Sequence, residues 1–368
     1  MSYTRARFRL GLLAQFVLAG GCVVAMVGLW PTAADAQTDI PAGIVLGLFV
    51  LGYMLAALPF DWLGGYYLPQ RHGRSGETAA RWWLAWIRGA GLQAAYFWLA
   101  GYALLLATDW LGLPGAIGCV FVQMLLLTGF QLYVARGVAH LPMDDTADRG
   151  RFVFYLDSPD RSFTGGIYGI PGIESIVLPT YWRTRFPERV QEVFLARRHG
   201  AINAGSHGRG VLLAILWNTL LFALAAWLVP GGPATVAGLL CTSLLFSLLS
   251  LLGSVGLLPW LSRRAVFEID RWVFYKGLDA DALRASFEAT HRLQEDLGDG
   301  GVPVPLALLS FPTLEMRRSQ LASQRDLKGA WQVGRHARYT SWAGLNLLAR
   351  TPAYLLGRPS LWVFLPGD

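Results

Sequence analysis

Six runs of about twenty apolar residues constrain this chain more than anything else, at roughly 10 to 30, 41 to 61, 89 to 110, 113 to 134, 209 to 229 and 236 to 258. Twenty helical residues rising 1.5 Å each cover the roughly 30 Å of bilayer hydrocarbon, so each run predicts a membrane helix. A hydrophobic content of 54% agrees. The formal charge of +7, from 31 basic and 24 acidic residues, would suggest nucleic acid in a soluble chain. Here the arginines cluster in a few loops between apolar runs, and no RNA-binding signature or interleaved basic-aromatic patch accompanies them. No nucleic-acid partner is expected; the lipid bilayer is.

Orientation follows from the flanks. Arg5, Arg7 and Arg9 precede the first run, Arg71, Arg74, Arg81 and Arg88 separate the second from the third, and arginines follow the fourth and sixth. The other short loops carry Asp35, Asp39 and Asp109 and no Lys or Arg. The positive-inside rule then predicts a bacterial-type inner-membrane protein with both termini cytoplasmic. Basic residues, an apolar stretch and Ala34-Asp35-Ala36 before Gln37 also resemble a secretory signal, but the run exceeds a usual signal core and reads as an uncleaved anchor. Cys22, Cys119 and Cys241 all fall in apolar runs, where cysteine acts as a small hydrophobe, so no disulfide framework or cysteine metal site is implied.

The expected organisation is a four-helix transmembrane region over 1–134, a mixed domain over 135–325 that includes the last two membrane helices, and a tail over 326–368. The tail, broken by Pro352 and Pro359, is expected to lie along the membrane interface. Strands are predicted over 152–156 and 173–178, forming a short β-hairpin across the glycine-rich stretch 164–169. Pro187 and Glu188 open a helix. Further helices are expected over 262–277, 280–297 and 314–324, with a loop over 298–304. The fold class is therefore mainly α and polytopic, with a cytoplasmic α+β part. Asp61, Trp62, Tyr66 and Tyr67 read as an interfacial belt. Gln123 and Asn218 read as hydrogen-bonding joints between helices. No charge sits at the centre of any run, which argues against a small-solute transporter, the more distant alternative.

Three separated motifs then recur in a telling order. Leu195-Ala196-Arg197-Arg198-His199-Gly200-Ala201-Ile202 is followed by Ser262-Arg263 through Val266-Phe267-Glu268-Ile269-Asp270-Arg271, and then by Ser310-Phe311-Pro312 with Arg317. With Gly165-Gly166-Ile167 and Ile176-Val177-Leu178-Pro179 before them and Trp217-Asn218 between, they resemble the membrane zinc endopeptidases that include HtpX and the CAAX prenyl protease. In that family the first motif reads His-Glu-x-x-His and the second supplies a glutamate ligand. The resemblance covers about residues 150 to 325 and implies a metallopeptidase-like domain.

The departures from the family matter more than the likeness. Two histidines four residues apart share a helical face and grip zinc, while the glutamate between them activates water. Arg197 and Ala201 stand at the two histidine positions, Arg198 at the general base and Val266 at the third ligand. A guanidinium stays protonated and offers no lone pair, and alkyl groups offer nothing. The resemblance thus implies a divergent member with its zinc-binding motif lost: no catalytic residue, no metal, no cofactor. The implied role is a pseudoprotease acting as scaffold, assembly factor or regulator, with another membrane protein or complex as partner. The rival is an active metallopeptidase with relocated ligands, His199 and His207 being the candidates. Those two lie eight residues apart, too far along one helix to share an ion unless the helix ends between them, as Gly205 and Gly208 would allow.

Val190, Phe194, Arg197 and Ala201 follow the spacing i, i+4, i+7, i+11, which puts Arg197 on the apolar stripe of its helix. A buried guanidinium needs an anion. Asp270, which the resemblance matches to the family aspartate that supports a zinc-bound histidine, is the expected partner of Arg197 or Arg198, with Glu268 or Glu192 next, so that an ion pair links two helices in place of a metal. The alternative is that both arginines snorkel to lipid headgroups.

Overall fold

The computed structural model describes residues 3–34, 40–139, 143–148, 151–158, 160, 162–254, 256–294, 312–321, 323 and 327–364. From the amino end come α1 (Tyr3–Leu29) and α2 (Ala42–Trp62), which runs through a π-helical stretch at Leu63–Tyr67 into the short α3 (Leu68–Arg71). Next are α4 (Ala79–Gly129) and α5 (Gln131–Ala139). Four strands follow: β1 (Met143–Asp148), β2 (Arg151–Leu156), β3 (Gly166–Tyr168) and β4 (Ser175–Pro179). The helices α6 (Trp182–Arg185), α7 (Glu188–Asn203), α8 (Ser206–Leu228) and α9 (Val236–Gly253) come next. Last are α10 (Leu257–Tyr275), α11 (Ala280–Gln294), α12 (Leu314–Leu321), α13 (Val333–Thr340) and α14 (Ser360–Val363).

Among the described residues, α1, α2, α4, α8 and α9 are long and apolar enough to cross a bilayer, and the chain is a multi-pass membrane protein in contact with lipid. Two of the six expected runs lie within the single helix α4, whose 51 residues would extend about 77 Å if straight. They do not. Gly112 adopts φ 64° and ψ −156°, two residues before Pro114, and the helix doubles back there. The Tyr96 hydroxyl donates to Gln123 Oε1 at 3.2 Å, and Gln123 Nε2 to the Ala100 carbonyl at 3.4 Å, contacts that a straight helix would forbid. Gln123 therefore joins the two arms of one hairpin.

The strands correct the hairpin expectation. The sheet order is β1-β2-β4-β3, and β2 and β4 pair in parallel, with Val153 opposite Ile176 and Leu156 opposite Pro179. A parallel pair cannot be closed by a tight turn. The glycine-rich stretch expected as that turn holds β3 instead, an edge strand antiparallel to β4 with Ile167 opposite Ile176. Helix α7 starts after Pro187, and α10 begins at Leu257, five residues ahead of its expected start. The loop expected over 298–304 lies outside the described residues, as do Ser310 and Phe311.

The largest departure concerns the tail. Almost every described residue from Ala330 to Phe364 is buried, with Trp331, Trp342, Leu361 and Trp362 at 2% exposure or less. The segment threads between the membrane helices and does not lie on the interface. Tyr339 donates to the Leu127 carbonyl, the Leu347 amide to Ser247 Oγ, and Gln131 Nε2 to the Val363 carbonyl. A broken, proline-containing backbone is tolerated at membrane depth when surrounding helices satisfy its polar groups.

Asp61 is central to that arrangement and is 1% exposed, not a belt residue. Its carboxylate accepts from the Gly357 amide at 2.7 Å and from Trp86 Nε1 at 2.9 Å, and lies 3.5 Å from Arg350 Nη2. A second tie pairs Asp160 with Arg358, reinforced by the Ser162 amide and hydroxyl on Asp160 Oδ1. Burial would raise the Asp160 carboxyl, but the Arg358 charge and hydrogen bonds, the Ser162 amide and the Arg7 charge outweigh it and hold it below the usual carboxylate range. A depressed folded value means that this pair stabilises fully above about pH 4 and loses its contribution as pH falls through the folded value. The advantage of the parent over Arg358→Gln in thermal unfolding should therefore be constant near neutrality and shrink in acid. An advantage independent of pH down to about 3 would contradict the assignment.

Candidate functional site

Arg197 of the first motif, Asp270 of the second and Arg317 of the third meet in the structure. On α7, Val190, Phe194, Arg197 and Ala201 are all buried, as the apolar stripe requires. Arg197 is fully buried and donates from Nε to Asp270 Oδ1 on α10 at 2.9 Å. Arg317 on α12 takes the same carboxylate in a fork, Nε to Oδ2 and Nη2 to Oδ1, both at 2.8 Å. Its third nitrogen reaches Thr290 Oγ1 at 3.4 Å, and its guanidinium carbon lies 3.7 Å from the centre of the Phe287 ring, both on α11. Asp270 thus joins α7, α10 and α12, with the fork geometry in which arginine binds carboxylate most strongly, and Arg317 carries the link on to α11.

Arg198 is also fully buried but turns away from Asp270 and donates to the Thr164 carbonyl at 3.1 Å, just ahead of β3. Both buried arginines rule out snorkelling to headgroups. Glu268 pairs with Arg209 on α8, through both carboxylate oxygens at 3.1 Å, and accepts the Gly329 amide at 3.1 Å. Being partly exposed, that pair contributes little by itself. Glu192 is exposed.

Ala201 and Val266 lie in one apolar cluster with Ile167, Ala265, Ile269 and Trp331. Trp331 comes from the C-terminal segment, which crosses the cleft between α8 and α10. Its amide donates to the Ser206 carbonyl at 2.9 Å, and the Ala330 amide to the Leu261 carbonyl at 3.3 Å. The backbone runs so close to α10 that a Cβ on Gly329 would lie 2.1 Å from the Ala265 nitrogen. Only glycine fits. The Trp331 ring faces both arginines, with the guanidinium carbons of Arg197 and Arg198 5.9 and 5.7 Å from its centre, within cation–π range.

The donor set does not suit zinc. A tetrahedral site needs imidazole, thiolate or carboxylate donors, and the positions here present guanidinium, methyl, isopropyl and indole. Among the described residues no group of three or more His, Cys, Asp and Glu could hold a metal ion. The helix does end between His199 and His207, at Asn203, with Gly205 at φ 65° before α8. His207, fully buried, stacks edge-on with His336 of α13, ring centres 5.2 Å apart, and places Nε2 3.4 Å from the Gly169 carbonyl. Sequence spacing could not reveal that partner, 129 residues away.

No family model matches the sequence, and no curated protein matches it. Among solved structures, that of S. mikatae Ste24p aligns with a TM-score of 0.63 at 18% identity, over 80% of this chain and 79% of that one. The fold is that of Ste24p. At 80% of the chain, the likeness extends beyond the 150–325 stretch in which the sequence motifs lie.

Proposed function

We propose that this chain is a pseudoprotease: a catalytically inactive, HtpX-like member of the membrane metallopeptidases that works by binding other membrane proteins, as scaffold, assembly factor or regulator. The Ste24p-like fold supports the metallopeptidase side of this reading, since Ste24p is a CAAX prenyl protease of a zinc metalloprotease family. One observation carries the inactive side. Where that family presents ligands and base, this chain packs Ala201 and Val266 under Trp331 and ties Arg197 to Asp270. The orientation that goes with the reading is cytoplasmic termini in a bacterial-type inner membrane.

Metal analysis of the full-length protein purified in mild detergent is expected to find far less than stoichiometric zinc. A general peptidase assay should show no activity, and chelator should leave the melting temperature unchanged. Stoichiometric zinc with chelator-sensitive cleavage would overturn the proposal in favour of an enzyme with relocated ligands.

A further inference from the structure

A cleft separate from the motif region opens between α1, α8, α9, α13 and the C-terminal segment. It is a small cleft, and its polar lining comes from Gln15, Asn218, Ser250, Ser254, Arg338 and Asn346. Among the described residues no acidic side chain lines it. Elsewhere buried Arg198 and Arg7 donate to the backbone carbonyls of Thr164 and Ala353, while Arg197, Arg317, Arg350 and Arg358 each stand beside a carboxylate. Arg338 does not. Its side-chain contacts are a 2.9 Å hydrogen bond from Nη1 to the Tyr354 hydroxyl and the face of that ring 6.0 Å away, and among the described residues no carboxylate lies within ion-pair distance.

A half-buried guanidinium inside a membrane protein, in a cleft without acids, is electrostatically incomplete. The groups around it can complete an anion site. Ser250 Oγ is buried with no hydrogen-bond partner among the described residues. Ser254 and Asn218 are less free, since their donors reach the Leu251 carbonyl, and the Ala337 carbonyl and Thr340 hydroxyl. Gln15 lies six residues, or about 9 Å along α1, from Arg9, and Ser250 and Ser254 close the end of α9. On α1 and α9 the cleft sits toward one end of the spanning helix, while Trp217 and Asn218 line it from the middle of α8. Its surroundings are greasy, with Phe16 at 75% and Leu252 at 71% exposure.

We propose that this cleft binds the phosphate group of an anionic membrane phospholipid, with Arg338 as its cationic partner and Ser250 and Gln15 as neutral hydrogen-bond donors. Arginine paired with phosphate is a strong, charge-assisted contact, and the acyl chains would leave along the exposed apolar flank.

The test uses full-length protein in neutral detergent, with native mass spectrometry and thermal unfolding during titration with phosphatidylglycerol, phosphatidylcholine or inorganic phosphate. Phosphatidylglycerol is expected to bind saturably and raise the melting temperature, phosphatidylcholine more weakly, and Arg338→Gln to weaken the anionic lipid about tenfold. Tyr354→Phe removes the same hydrogen bond while keeping the cation, so it should retain the lipid. Equal loss in both variants would overturn the proposal, because the effect would then come from a disturbed tail. If Arg338→Gln does not fold, Ser250→Ala and Gln15→Leu leave the guanidinium in place and should each weaken binding. Unchanged affinity in both would also overturn it. Inorganic phosphate stabilising the protein as strongly as the lipid would support the phosphate site and name a soluble source.

Discussion

Asp270→Ala is expected to lower folding stability by about 3 to 5 kcal/mol, the scale found when one partner of a buried ion pair is removed. The carboxylate is 2% exposed and receives three hydrogen bonds at 2.8 to 2.9 Å from Arg197 and Arg317. Its loss leaves two buried guanidiniums without that anion, and no route to water for Arg197. Removing the pair more completely should cost less than the sum of its parts. Arg197→Ala with Asp270→Ala is expected to be less destabilising than the two single losses added, by about 0.5 to 3 kcal/mol. Denaturation of the four proteins in one detergent measures this. Additive losses would mean that Arg197 and Asp270 are neighbours without coupling. Arg317→Ala is the useful companion, since Arg317 forms two of the three bonds and should couple to Asp270 at least as strongly.

Periodicity places Arg197 on the apolar stripe of its helix, and the family resemblance, not periodicity, points to Asp270 as its partner. The choice between Arg197 and Arg198 was open in the sequence. The structure resolves it through the Thr164 carbonyl, a backbone acceptor that no side-chain pattern advertises. Glu268 is drawn off by Arg209, which belongs to the next helix. Trp331 escapes any local reading: it follows Val266 by 65 residues and reaches it only because the chain threads back between α8 and α10. The parallel pairing of β2 with β4 is hidden for a related reason. β3 is three residues long and glycine-led, so local propensity reports a turn where tertiary pairing makes an edge strand.

The C-terminal segment shows most clearly how a membrane interior misleads hydropathy. Prolines and arginines in 342–364 make it unlike a spanning helix. Here the neighbouring helices supply what the broken backbone lacks, so the segment is core. Trp82 Nε1 donates to the Gly357 carbonyl at 3.0 Å, beside the Asp61 contacts with the Gly357 amide, Trp86 and Arg350.

Asp61→Ala is accordingly expected to destabilise the protein by about 3 to 5 kcal/mol, and to do so by loosening the tail first. Arg350 is 3% exposed with its guanidinium carbon 4.2 Å from the centre of the Trp362 ring, a contact that holds the cation but does not neutralise it. Without Asp61 that charge is left in a low-dielectric interior, where the compensating movement is withdrawal of the tail. Limited proteolysis in detergent should then cut within 330–364 in the variant under conditions that leave the parent intact, and hydrogen exchange should rise there before it rises in α8 or α9. Gly357→Ala should give the same pattern from the other side, because Gly357 has φ 64° and a Cβ there would lie 1.9 Å from the Asp61 carbonyl oxygen. If either variant lost stability uniformly, with tail and helices exchanging together, the segment would be an inseparable part of the folding unit. A tail that opens first is instead a separable element whose docking on the membrane helices depends on the contact between Asp61 and Gly357.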